Sequence, residues 1–308
     1  MNSKPIFIAI ALTIFSAIIL ATYFIIPIKV KHNYNLPSSN IDKITNYLND
    51  NNISTNILDK IALSYLKPAK GWVYINKKEI TRYRFLKELS SKHNRYNIVT
   101  IIPGETTYFV LRDIAKKLDF NLTKLQYAYN QNSLYKEGNF IANTYHIPAY
   151  YNEEQTIKYL IDKSTKVFKS IAEKNHIKFK SLKNFIVVAS ILEKEAANQE
   201  EMPLIASVIY NRLRKKMRLQ VDGSLNYGEF SHKKITPLQI KNDKTTYNTY
   251  KHKGLPKEPV CNVSKKAINS ALHPAKTDFL YFVKKDNKSH RFSNTFKKHR
   301  ENIKLMDK

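Results

Sequence analysis

The chain has 308 residues, 52 Lys+Arg against 25 Asp+Glu, and 43% apolar residues, enough to bury one or two ordinary cores. Collagen-like, low-complexity and disulfide-scaffold classes are excluded, and the single cysteine, Cys261, has no partner for an intrachain disulfide. The formal charge of +27 points to a polyanionic neighbour, and by itself leaves nucleic acid, an anionic membrane surface and an acidic wall polymer open.

Residues 5–28 form an uncharged run of 24, about 36 Å long as a helix, against a hydrocarbon core near 30 Å. A cleaved signal peptide has a shorter apolar stretch and a small-x-small exit. Here the run ends on Phe24-Ile25-Ile26-Pro27-Ile28, followed by Lys29 and Lys31. The expectation is an uncleaved single-pass transmembrane anchor within 1–29. Lys4 before the span and Lys29 and Lys31 after it give no orientation, though an N-terminal anchor commonly leaves its long downstream part translocated.

A polar tether over 37–40 leads into two short helices, read from Ile41, Ile44, Tyr47 and Leu48 and then from Ile57, Ile61 and Leu66. Residues 71–75 are β-rich, 82–89 helical, and 97–102 a strand stopped by Pro103-Gly104. Helices predicted over 108–118 and 122–129 and a strand over 144–147 complete a β-α-α-β unit. A long helix from 152 to about 175 and helices over 183–197 and 203–215 open a helical bundle. A strand over 278–283 and a basic helix over 295–305 follow. The expected fold class is α+β: an anchor helix, a small α+β region, then a largely helical domain with a β-containing C-terminal part. The boundaries fall at 1–29, 30–97, 98–150 and 151–308.

Several chemistries are dismissed by pattern. The six glycines are scattered and build neither a P-loop nor G-x-G-x-x-G, and H-E-x-x-H and C-x-x-C do not occur. No metal or cofactor is expected. Ser-x-x-Lys at Ser64, Ser133 and Ser231 lacks a K-T-G partner and reads as chance in a lysine-rich chain. The segment over 187–197 differs, because it places two carboxylates in an otherwise apolar helix. Glu195 follows Val188, Ile191 and Leu192 at i−7, i−4 and i−3, on the most apolar stripe. Desolvation there raises a carboxyl pKa and suits a general acid near neutral pH. The alternative is a buried salt bridge to one of the basic residues. Glu193 sits about 200° round the helix and cannot share a substrate atom with Glu195, so the two are not a retaining-glycosidase pair; a solvated or supporting role is expected for Glu193 and Lys194.

The wording around Glu195 extends the reading. Ala189-Ser190-Ile191-Leu192-Glu193-Lys194-Glu195, then Ile205 to Leu213, Met217-Arg218-Leu219-Gln220-Val221-Asp222 and Tyr227-Gly228 closely resemble the MltG (YceG-like) endolytic murein transglycosylases. Tyr247-Asn248-Thr249-Tyr250, Gly254-Leu255-Pro256, Ala271-Leu272-His273-Pro274-Ala275, Leu280-Tyr281-Phe282-Val283 and Phe292…Thr295…His299 continue the match in order, over about 41–303. Ile102-Pro103-Gly104-Glu105-Thr106, Asp113 to Lys117, Leu125, Asn130 and His146-Ile147-Pro148 resemble LysM modules, which bind N-acetylglucosamine polymers. For 98–150 that implies a glycan-contacting LysM-like subdomain, with a plain scaffold of the same topology as the alternative.

The resemblance implies that Glu195 is the catalytic acid/base, cutting between N-acetylmuramic acid and N-acetylglucosamine inside nascent strands to leave 1,6-anhydro ends and limit strand length. It also implies an inner-membrane, single-pass protein with its catalytic part periplasmic or extracytoplasmic. Its partners would be peptidoglycan, the membrane and the glycan-synthesising penicillin-binding machinery, not nucleic acid. Gln220, Asp222, Tyr227, Asn248, Thr249 and Tyr250 are the candidates for lining the saccharide cleft, since amides, a carboxylate and aromatic faces serve sugar hydroxyls and C–H surfaces. Asn248 could instead organise a turn, and Tyr227 and Tyr250 could be core aromatics. Gly223-Ser224 replaces the family's usual Pro-Thr, and residues 256–264 depart from its Pro-rich wording; both departures are expected at cleft-edge loops. A catalytically inactive, membrane-anchored peptidoglycan-binding protein is the competing reading, and a hydrolytic muramidase a further one.

Overall fold

The computed structural model describes residues 4–75, 77–91, 95–286 and 288–305; the outermost residues of the expected anchor and catalytic segments, 1–3 and 306–308, lie outside them. The fold is α+β, with one N-terminal apolar helix ahead of mixed helical and β regions. Helix α1 (Lys4–Ile25) contains a stretch, Ile6–Ile25, long and apolar enough to cross a membrane, exposed along most of its length and partly buried only at Tyr23 and Phe24. The chain forms two compact units, residues 1–98 with 146–151, and residues 99–145 with 152–308.

In the first unit β1 (Pro27–Lys29) pairs antiparallel with β4 (Glu79–Thr81). A four-stranded sheet runs in the order β2 (Asn33–Leu36), β3 (Gly71–Tyr74), β5 (Arg95–Ile101), β6 (Asn143–Pro148), and of its last two strands only residues 95–98 and 146–148 belong to this unit. β3 is antiparallel to both β2 and β5, with Trp72 opposite Asn35 and Tyr96. β2 alternates, as a half-buried strand does: Tyr34 and Leu36 are fully buried between exposed Asn33 and Asn35. They pack with Leu48 of α2 (Ile41–Asp50), Leu63 of α3 (Ile57–Leu66) and Phe85 of α4 (Arg82–Ser90). The tether expected before the first helix is thus confined to 37–40, and a core strand precedes it. Asn40 and Asn56 cap α2 and α3, the latter as a capping box with Asp59. Asp59 is fully buried and accepts from Arg82 Nη1 at 3.0 Å and from the Tyr23 hydroxyl at 2.5 Å, which ties the end of α1 to α3 and α4.

The expected β-α-α-β unit forms, with α5 (Thr107–Leu118) and α6 (Leu122–Asn132) between β5 and β6. Its two helices belong to the second compact unit and its outer strand ends to the first. The expected segment 98–150 is therefore divided between the two units.

The second unit continues with α7 (Glu153–Lys174), α8 (Leu182–Glu195), α9 (Met202–Arg214), α10 (Pro237–Asn242), α11 (Lys265–Leu272), the antiparallel hairpin β7 (Tyr281–Lys284) and β8 (His290–Ser293), and α12 (Phe296–Lys304). Residues 186–192 of α8 are all buried, so α8 is the central helix of this unit. It packs on α9, α11 and the 3-10 turn Asp222–Leu225. Helix α8 ends at Glu195, two residues before the expected end, because Ala196 turns to extended backbone. The expected strand over 278–283 begins only at Tyr281: the carbonyls of Thr277, Phe279 and Leu280 instead accept from Asn211 and Arg212 of α9.

Candidate active site

Glu195 is the last residue of α8, where a buried apolar helix meets a cleft. The cleft holds about 470 Å³ and is lined by Glu195, Arg212 of α9, Gln220 and Asp222, Tyr250, both strands of the β7–β8 hairpin, and Phe296 and His299 of α12. Burial pushes the Glu195 carboxyl from 4.5 to about 7; the Gly223 N–H, donating to Oε1 at 2.6 Å, pulls the other way, and the negative charge of Asp222 adds to the rise. The partial negative charge of the helix C-terminus acts in the same direction as burial. Among the described residues no salt bridge forms to Glu195, unlike the buried ion pair weighed as the alternative.

Of the six expected lining residues, three join Glu195. Gln220 is exposed in the left-handed region at φ 51°, its N–H donating to the Thr249 carbonyl at 3.2 Å, which turns its side chain's attachment point to the cleft. Asp222 accepts from the Tyr250 hydroxyl at 2.6 Å, so these two form one polar wall. The other three stand elsewhere. Asn248 is fully buried, donating through Nδ2 to the carbonyls of Ile240 and Asp243 at 2.8 Å each and accepting from Tyr250 N. Thr249 is also buried, its hydroxyl accepting from Val221 N at 3.1 Å. Tyr227 stacks on Tyr247 at 4.3 Å and donates to Asp243 at 2.8 Å. These three shape the loops behind Gln220, Asp222 and Tyr250, because their polar atoms are already satisfied within the protein.

Sequence reasoning missed Arg212, Tyr281 and His299 as cleft residues. Arg212 is buried, donates from Nε to Leu280 O and from Nη1 to Leu219 O, both at 2.6 Å, and lies 5.0 Å over the Tyr281 ring. It clamps the β7 approach and the 218–219 backbone together. An arginine on the apolar face of α9 was the available signal, since a buried charge demands partners. His299 stacks on Tyr281 at 5.0 Å, and burial together with Arg212 pushes its pKa down. His290 bonds Glu201 at 2.8 Å. Among the described residues no three His, Cys, Asp or Glu side chains gather into a metal-binding group.

Glu193 is half-buried: burial raises its pKa, and Oε1 accepts from Ser264 N at 2.8 Å at the start of α11, which is a supporting role. Of the two departures from family wording, Gly223-Ser224 abuts Glu195. The other does not lie where it was expected. Val260, Cys261, Asn262 and Val263 are fully buried and lie against α8 and the turns flanking α5 and α6, not at the cleft edge. Val260 N donates to the buried Ser190 hydroxyl at 2.8 Å. Asn262 takes the Gly104 N–H on its carbonyl at 3.0 Å, gives its own N–H to Glu105 O at 2.9 Å, and accepts from Phe140 N at 3.1 Å.

The family model of the YceG-like family matches residues 36–305. An endolytic murein transglycosylase of Bacillus subtilis (strain 168) is 30% identical over 310 residues, covering 88% of this chain and 83% of that protein. One of Streptococcus pneumoniae (strain R6) is 33% identical over 154 residues, 45% of this chain and 27% of that protein. A crystal structure of a YceG-like protein from Listeria monocytogenes covers 89% of this chain and 98% of its own, with a TM-score of 0.58 at 24% identity, and shares the fold. With the family model matched over most of its length and a relative of this identity aligned over most of both chains, the chain belongs to the YceG-like family.

Proposed function

We propose that this protein is an endolytic murein transglycosylase in which Glu195 is the single catalytic acid and base. The observation that carries the reading is a lone carboxyl held at about 7 on the wall of a saccharide-sized cleft, one oxygen bonded to Gly223 N–H and the other without a hydrogen bond among the described residues. A carboxyl at that value is present in both protonation states near neutrality. Protonated Glu195 gives its proton to the oxygen between N-acetylmuramic acid and N-acetylglucosamine as the C1–O bond breaks. The muramoyl C6 hydroxyl then attacks C1, its proton passes to the carboxylate, and a 1,6-anhydro ring closes with no water consumed. The nucleophile belongs to the substrate, so a second enzyme carboxylate is unnecessary and proximity favours ring closure. Gln220, Asp222 and Tyr250 hold the sugars in this reading.

Helix α1 serves as the membrane anchor and residues 151–308 carry the catalysis outside the cytoplasm, acting on peptidoglycan near the glycan-synthesising machinery. For the LysM-like segment 98–150 the supported role is scaffolding: Gly104, Glu105 and Phe140 bond Asn262, and Ala142 N donates to Val263 O at 2.8 Å. Glycan contact then falls to the Glu195 cleft. Asp222 in the same cleft favours one second reading, a two-carboxylate muramidase.

Mass spectrometry of purified peptidoglycan treated with the full-length protein in detergent decides. Internal fragments with anhydro ends from wild type and none from Glu195→Gln are expected. Reducing ends select the muramidase, and intact glycan bound by a folded wild type selects the inactive binding protein.

A further inference from the structure

The two oxygens of Glu195 have different surroundings. Oε1 receives the Gly223 N–H at 2.6 Å, and Oε2 has no hydrogen bond among the described residues. The approach requires a residue without a side chain: a Cβ on Gly223 would stand 2.6 Å from Lys194 Cβ and 2.7 Å from Oε1, closer than atoms pack. The Asp222–Leu225 turn that carries this N–H is itself pinned. The buried Ser224 hydroxyl donates to Val221 O at 2.8 Å and lies 3.1 Å from the Thr249 hydroxyl, which also accepts from Val221 N. The donor direction is therefore set before any substrate arrives.

Other ionisable groups face Glu195 across the cleft: Asp222 and Tyr250 from the loops, Arg212 from α9, Tyr281 and Lys284 from β7, His290 from β8 and His299 from α12. None of them bonds the carboxyl. Lys194, its neighbour on α8, directs Nζ to the Ser231 hydroxyl at 2.6 Å. Gly223 is thus the sole hydrogen-bond donor to Glu195 among the described residues.

We infer that the Gly223 backbone N–H is a positioning group for the reaction: by donating to Oε1 it confines the Glu195 proton to Oε2 and aims that oxygen into the cleft. The inference rests on Glu195 being the acid and base. It also gives the Gly-Ser departure a consequence, since proline at 223 has no N–H to offer. During turnover Oε2 gives up its proton and regains one, while the Oε1 bond strengthens as the carboxylate forms and weakens as it is neutralised.

Asp222-Gly223 is the only Asp-Gly pair in the sequence. Full-length protein carrying carbonyl-¹³C aspartate and ¹⁵N-glycine therefore gives one carbonyl-filtered amide signal, that of Gly223. This amide proton is expected to move downfield with a midpoint near 7 as Glu195 ionises, and to stay still in Glu195→Gln. A signal that does not titrate in wild type, or titrates unchanged in Glu195→Gln, overturns the inference whether or not peptidoglycan is cut. A titrating Gly223 in a protein that makes no anhydro ends overturns the functional reading alone. Gly223→Pro and Gly223→Ala add the same Cβ and only proline lacks the donor, so in the folded variants the alkaline limb of kcat/KM is expected about one pH unit higher in Gly223→Pro than in Gly223→Ala; coincident limbs overturn the inference.

Discussion

Replacing Glu195 by glutamine stabilises the protein at alkaline pH while removing its proposed acid. The carboxyl lies at about 7 in the folded protein against 4.5 for the free group, so between these values the folded chain binds more protons than the unfolded one. Its contribution to stability is complete below about pH 4.5 and is lost as pH rises through 7. A rise of this size, at about 1.4 kcal/mol per pH unit, corresponds to about 3 kcal/mol above pH 7. Glutamine has no proton to lose and keeps an oxygen for the Gly223 N–H. Glu137, also buried and raised to about 7, is common to both proteins and cancels in their difference. Thermal unfolding of full-length wild type and Glu195→Gln in one detergent, from pH 4 to 8.5, reads the effect. The variant melts with wild type at pH 4 and, for a unit of about 200 residues, roughly 6–12 °C higher at pH 8. A gap that is constant with pH, or a variant less stable at pH 8, would show that Glu195 is held as an ordinary or paired carboxylate and refute the desolvation argument.

Asn248→Ala leaves the Ile240 carbonyl and Tyr250 N without the partners they have here, while Asp243 O keeps Lys251 Nζ at 3.0 Å, and urea titration is expected to show a loss of about 2–4 kcal/mol. Tyr250→Phe removes only a bond to exposed Asp222, so the melting curve stays close to wild type while release of anhydro products slows by roughly tenfold, about 1.4 kcal/mol of barrier. Gly138→Ala is strained at φ +77° and would put a Cβ 2.7 Å from Pro259 Cβ; a cost of about 2–3 kcal/mol in denaturant is expected, and a neutral result would mean that 259–261 can move aside. A chain beginning at residue 38 lacks β1 and β2 and with them fully buried Tyr34 and Leu36. Such a chain is expected to unfold less cooperatively and to be cut faster by protease than the full chain, measured side by side.

Long periodic segments were legible in the sequence. The helices α5, α7, α8 and α9 fall within two residues of their expected ends, because each carries an apolar stripe long enough to outweigh local alternatives. The short elements β1, β2, β4, β8, α10 and α11 were not read. Three to eight residues hold too little pattern, and these elements exist through partners distant in sequence, as β2 does through β3. The strand β8 was missed although its partner β7 was found, since a hairpin's second strand is specified as much by pairing as by its own residues.

The sequence by itself determined the apolar span, the buried stripe that carries Glu195 and, through the order of its motifs, the family. Stripe and span follow from periodicity and composition, which are local. Tertiary structure alone decided which polar residues meet Glu195. Asn248, Thr249 and Tyr250 are consecutive, yet only Tyr250 faces the cleft, because the loop buries the other two to satisfy backbone groups around it. The donor to Glu195 is a backbone N–H from a residue 28 positions away, and every residue except proline carries that group. A hydrogen bond made by the main chain leaves no mark in residue identity beyond the missing Cβ that permits it.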